Sequence, residues 1–424
     1  MVAGGNEIYP YALDDSILEG GGINMKSKFC STFMALIAGL HTVSVQRVDS
    51  AENRSRSSPK SVMLSHQEVV GTSGFSSGRV NSTSLALNTS GVPYVAFDEA
   101  VNKWKATVMR LNSAGTAWEN VGNAGFSVEA ATDISLVING NGVPHVAFTD
   151  RGNGLKVAVM RLNSAGTAWE NVGNAPVSVG AALYTSLALN GEGVPYVAFS
   201  EASKEYKATV MCLSKGGNVW QYIGGSGFSP GGAEATSLVL NSAGVPYVAF
   251  KDLVNGRKVT VMRLNAVQTG WEIVGGAGFS PGAVHSPSLA LSSTGIPYVA
   301  FQDEANGKKA TVMRLNSAGS AWEYVGGAGF SPDGAIHTSL VLSKTGVPYV
   351  AFKDIANGGK ATVMRLNGAG TSWENVGNPG ISAGEVQYTS LALTSTGAPY
   401  IAFSDLTNGF RATVVKISFD PFKP

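Results

Sequence analysis

Seven carboxylates recur along this chain, each followed six residues later by a base: Glu99 with Lys105, Asp150 with Lys156, Glu201 with Lys207, Asp252 with Lys258, Asp303 with Lys309, Asp354 with Lys360 and Asp405 with Arg411. A carboxylate beside a cation can take or give a proton, so general acid–base chemistry is the first thing such pairs suggest. Opposite charges facing each other across a β-hairpin give the same offset and contribute about 0.2–1 kcal/mol per pair. Asn-Gly steps between acid and base, as in Asn306-Gly307, are hairpin-loop signals, and we read the pairs as sheet partners. A second set, Arg110 with Glu119 and its equivalents, follows the same logic. In the third copy both members change together, to Cys212 and Gln221, and no charge is left alone.

The copies diverge just before seven recurring serines, Ser84, Ser135, Ser186, Ser237, Ser288, Ser339 and Ser390. There stand Asp133, Tyr184, Glu234, His285, His337, Gln387 and Tyr388. Divergence at one rim of a near-identical array reflects either relaxed constraint on exposed loops or one specialised, asymmetric site. Two tyrosines with nearby acceptors suit a polar, planar-faced ligand such as a sugar or a peptide, the rings supplying apolar area and the carboxylates orientation. His285 and His337 could join Asp133 or Glu234 on a metal, but no spacing motif fixes such a site, and we expect neither metal nor cofactor. His145, standing where the first copy has Tyr94, reads as a buried packing variant.

Those positions are held by a repeat. Gly91-Val92-Pro93-Tyr94-Val95-Ala96-Phe97 returns with its proline at Pro144, Pro195, Pro246, Pro297, Pro348 and Pro399, a step of 51 residues. A strict period of about this length marks a solenoid, propeller or array. Each copy offers four short strands: one ending near Asn88, one from Tyr94 to Phe97, one from Ala106 to Leu111, and one opening at Trp118. The second is apolar on both faces, as a strand sandwiched between neighbours requires. The seventh copy stops after its third strand, and Gln67-Glu68-Val69-Val70 matches Trp118-Glu119-Asn120-Val121 at the other end of the repeats. An N-terminal strand completing the last blade would close a ring and remove its edges. The expected fold is therefore all-β, a seven-bladed β-propeller over residues 67–424 with Lys416 facing Glu68.

Composition agrees with buried strands and tight turns: charged residues are 14% and glycines number 53 in 424 residues. A net charge of +1 without a basic run gives no electrostatic footprint for nucleic acid, and we expect no such partner. Two cysteines exclude a disulfide framework. Lys26 and Lys28 precede an apolar run from Phe29 to Leu40, the layout of a secretory signal. That run is short for a bilayer span, so no transmembrane segment is expected after processing. Residues 1–24 then read as an extension before a true start at Met25, 25–45 as a signal peptide or anchor, and 46–66 as a Ser- and Arg-rich linker. A secreted or extracytoplasmic monomer is the expectation.

The repeat region resembles the secreted tandem-repeat β-propellers. The Gly-Val-Pro-Tyr-Val-Ala-Phe hairpin is similar to NHL-type blades, and Leu111-Asn112-Ser113-Ala114-Gly115-Thr116-Ala117-Trp118 is similar to the Asp-box of sialidase-like propellers, Ser-x-Asp-x-Gly-x-x-Trp. Gly115 and Trp118 match that spacing; Ser113 and Leu111 stand where the Asp-box has its Asp and Ser. The resemblance implies a sialidase-like or other propeller hydrolase as the alternative function. A sialidase-like reaction needs arginines at the mouth, whereas Arg110 and its equivalents sit beside the opposite turns. The favoured expectation is a non-catalytic binding module for a glycan or a protein. A lectin would repeat pockets around the ring on Trp118- or Tyr94-type aromatics; a scaffold would use the variable mouth once.

Overall fold

The computed structural model describes residues 65–419. The expected extension, leader and linker lie outside these residues, save Ser65 and His66, which open a strand two residues earlier than the sequence boundary. The chain is a seven-bladed β-propeller: seven antiparallel sheets, each of four strands. In blade 1, strand a is Val80–Leu87, b is Pro93–Glu99, c is Lys105–Leu111 and d is Trp118–Asn120. In blade 7, strands a to c are Val386–Leu393, Pro399–Asp405 and Arg411–Phe419, and Ser65–Val69 is the outer strand. Glu68 pairs with Lys416 there, their side chains 3.3 Å apart.

Period-two alternation on strand b explains how the blades stack. Val95 and Phe97 face one neighbour, Tyr94 and Ala96 the other, so every residue of Pro93–Glu99 is buried. A small face meets a large one at each junction: Ala96, Ala106 and Val108 of blade 1 pack on Val146 and Phe148 of blade 2. Blade 7 meets blade 1 through the same set, Ala402, Ala412 and Val414 against Val95 and Phe97. Fully burying each such phenylalanine contributes about 1.5–3 kcal/mol, and the same increment recurs around the ring. A second adhesive lies further out. Trp118 Nε1 donates to the carbonyl of Val70 at 2.8 Å while its face stacks on Phe75 at 4.1 Å, and Trp322 does likewise with Val274 and Phe279.

The two ladders of charge differ from each other. Arg110 holds Glu119 at 2.7 Å, and Cys212 faces Gln221 in the third blade, as the paired change in sequence requires. The acid–base pairs at the b–c turns have the expected register, Glu99 opposite Lys105 and Asp303 opposite Lys309, yet among the described residues none of the seven forms an ion pair. The carboxylates are buried and turn inward instead. Asp303 accepts from the amide of Ala305, the side chain of Asn306 and the hydroxyl of Thr311, which shapes a turn that ends with Gly307 at φ +69°. A buried carboxylate satisfied by three donors gains more than one held by a single half-buried lysine, so the acids organise turns and leave the lysines unpaired with them.

Candidate functional site

Strands a lie innermost, each packed on the strands a before and after it, blade 7 on blade 1 included. Because a and b are antiparallel, the start of a and the end of b share one face of the disc, as Val80 opposite Glu99 shows. All seven strands a lose register at that end; in blade 2 the pairing slips between Thr132 and Ser135. Within the slip, Asp133, Tyr184, Ala235, Ser286, His337 and Tyr388 adopt left-handed backbone, with φ between 48° and 58°. Such φ values cost a residue with a Cβ on the order of 1 kcal/mol or more, so the surroundings must enforce them. The next blade does so: Thr83 donates to the carbonyl of Tyr388, Thr236 to that of Tyr184, Thr389 to that of His337, and Thr338 to that of Ser286 at 2.7 Å. One residue further along, the strand-a serines take the amide of a leucine in the following blade, as Ser84 takes that of Leu136 at 2.9 Å.

The rim residues fall into two alternating positions. Asp133, Tyr184, His337 and Tyr388 are bulge residues; Glu234, His285 and Gln387 precede a bulge. The structure gathers most of them into two groups. On blades 2 to 4, the Asp133 carboxylate accepts the Tyr184 amide at 3.0 Å, and burial, then the charges of Glu234 and Asp133, push the Tyr184 phenol up to about 12. Glu234 holds Lys251 at 3.0 Å. On blades 6 and 7, His337 Nε2 lies 3.1 Å from Gln387 Oε1, and its ring tilts against Tyr388 at 5.0 Å between centroids. Tyr388 keeps 37% of its surface exposed. His285 stands apart, bonded to Glu304 on its own b–c turn at 2.9 Å. Among the described residues no three His, Cys, Asp or Glu side chains form a metal-binding group.

One ring of contributors escaped the sequence reading. The residue after each core phenylalanine is Asp98, Thr149, Ser200, Lys251, Gln302, Lys353 or Ser404, and these pair with the divergent start of strand a. The divergence test applied to strand a would have found them on strand b. Asp98 accepts from Ser82 at 2.8 Å and Asn81 at 3.3 Å; burial, opposed by those bonds and aided by the nearby Asp133 charge, lifts its carboxyl to about 6. Burial raises Asp133 as well. Lys353, almost fully buried, reaches Glu385 at 2.6 Å. The mouth thus carries acids on blades 1 and 2 and closed lysine–glutamate pairs on blade 4 and between blades 6 and 7.

The blade-repeated aromatics are committed elsewhere. Tyr94, Tyr247 and Trp118 are buried, and Trp118, like four of its equivalents, spends both face and N–H on the neighbouring blade. His145 is also buried, as its packing reading expected, with burial lowering its pKa.

No family model and no curated protein matches the chain. Among solved structures it is similar to an ulvan lyase of polysaccharide lyase family PL25 bound to -[GlcA(1-4)Rha3S]-, with a TM-score of 0.55 and 12% identity over 82% of this chain and 95% of that one. It is also similar to YCF48 from Cyanidioschyzon merolae, with a TM-score of 0.52 and 11% identity over 82% of this chain and 98% of that one. The extracellular domain of a putative hybrid two-component system from B. thetaiotaomicron gives 0.53 and 12% over 84% of this chain and 43% of that one. At such identities the likeness is one of fold.

Proposed function

We propose that the chain is an extracytoplasmic binding module that holds one polar ligand, a glycan or a peptide, across the axial mouth. The observation that carries this reading is the ring of bulges. Six blades hold a left-handed residue with a Cβ at the mouth, and those residues differ from blade to blade while the locks beneath them repeat. Backbone strain kept under side chains of different chemistry supports a site over loose surface. Tyr184 and Tyr388 would supply ring faces, and Asp133, Glu234 and His337 would orient hydroxyl or amide groups. The saccharide in the ulvan lyase complex fits this reading without carrying it.

Stoichiometry tests the proposal. Titration of the purified ring against glycan and peptide arrays should find one ligand per chain. About seven per chain would replace the mouth with blade-repeated pockets.

A second reading, glycan cleavage, has one observation in its favour: Asp98, with its carboxyl lifted to about 6, lies near Asp133, and an acid poised near neutrality can protonate a leaving oxygen. Release of reducing ends by the parent ring but not by an Asp98→Asn ring would favour it.

A further inference from the structure

Blade 2 departs from the other six at two linked positions outside the mouth. In those six, a strand-c threonine (Thr107, Thr209, Thr260, Thr311, Thr362 or Thr413) accepts the amide of a glycine in the segment that follows strand d, at 2.9–3.0 Å. From blade 3 onward the same hydroxyl donates to the buried carboxylate at the end of strand b, as Thr362 does to Asp354 at 2.8 Å. In blade 2 the threonine is Ala158 and the glycine is Pro176, so hydroxyl and amide N–H have gone together. Asp150 is left with two donors, the amide of Gly152 at 2.9 Å and the side chain of Asn153 at 2.7 Å. The space is left too. A cavity of ≈ 240 Å³ opens there, with buried Phe148, Asp150 and Ala158 as its floor and Phe126, Asn171 and Pro176 among its walls.

Blade 3, which keeps its threonine and glycine, shows a phenol against the same carboxylate. Tyr222 occupies the place of Asn171, and its phenol donates to Glu201, the counterpart of Asp150, at 3.3 Å. A cavity of about 150 Å³ already admits benzene, so one aromatic ring fits this one with room to spare. Phe126 and Phe148, edge to face at 6.2 Å, offer an aromatic wall, and Asp150 offers the acceptor capacity its counterparts give to threonine.

From the cavity, the missing hydroxyl and the phenol in blade 3, we propose that blade 2 carries a binding site for a phenolic ring whose hydroxyl donates to Asp150. This site is independent of the axial mouth. The ring comes either from a small free phenol or from a tyrosine side chain of a peptide.

Calorimetric titration of the full chain with p-cresol, toluene and a short blocked peptide containing one tyrosine tests it. One equivalent of p-cresol should bind, and toluene, lacking the donor, should bind at least about ten-fold more weakly, as loss of a hydrogen bond to a charged acceptor requires. Tighter binding of the peptide assigns the source to a polypeptide, tighter binding of p-cresol to a free phenol. Asn171→Tyr should fold, as blade 3 does with Tyr222 at that place, and should lose binding by filling the cavity. Retention of p-cresol binding by Asn171→Tyr, toluene binding as tight as p-cresol, or no binding by the parent overturns the proposal.

Discussion

Ser390 accepts the amide of Leu85 through its hydroxyl oxygen at 3.0 Å, joining the last blade to the first across 305 residues of chain. The bond is one of seven alike, so the junction between the ends repeats the junctions within.

Removing that oxygen leaves a leucine amide without its partner at the junction, which costs about 1–3 kcal/mol. Ser390→Ala and Ser237→Ala should therefore lower stability in denaturant by the same amount. A silent Ser390→Ala beside a damaging Ser237→Ala would mean that the seam is open in solution.

The outer strand of blade 7 covers the edge of Arg411–Phe419. Deleting residues through Gly71 also removes Val70, whose carbonyl receives the Trp118 indole. We expect self-association through the bared edge, read by light scattering, with a lower melting temperature. A monomeric ring that melts like the parent argues against closure by this strand.

Asp98 gives a pH prediction whose sign follows from its burial. Burial lifts its carboxyl from an ordinary 3.8 to about 6, so between these values the native state holds more protons than the unfolded one. Stability then falls as pH rises through that window, with a penalty on the order of 3 kcal/mol fully present above it. Asp98→Asn should melt higher than the parent at pH 7.5, with the gap closing near pH 4. A gap that does not change with pH would show that Asp98 is not carrying a displaced charge.

At the mouth, Tyr184→Ala with Tyr388→Ala should abolish capture of the ligand found on the arrays while shifting the melting temperature little. Trp322→Ala should do the opposite, because deleting an inter-blade tryptophan from its stack and hydrogen bond costs about 3–5 kcal/mol. Normal binding by the tyrosine variant would remove the single-site reading.

The fold was legible because its physical requirements are written six or seven times. Phe97 and its equivalents mark the core, Trp118 and its equivalents the blade edge, and the joint change to Cys212 and Gln221 betrays a facing pair. Side-chain partners were less legible. The offset from Glu99 to Lys105 gives the register correctly, but whether facing charges touch depends on donors brought in by the turn and by strand c, and those won. Asp98 and Lys251 sit inside an apolar run whose pattern drew the eye to its regular members. Their environment exists only once Asn81, Ser82 and Glu234 arrive from another strand. Ala158 and Pro176 carry no signal in the sequence, because the hydroxyl and the amide they replace meet only in space.

The uniform handoff from each strand-a serine to the following leucine also bears on topology. Since this bond is the same at all seven junctions, it places no constraint on the order in which the blades are strung along the backbone. A circular permutant opened at any a–b turn and joined across Ser65 and Phe419, which already face each other, would meet the same seven interfaces. It would differ from the parent chiefly in which blade is completed by a strand from the far end of the polypeptide.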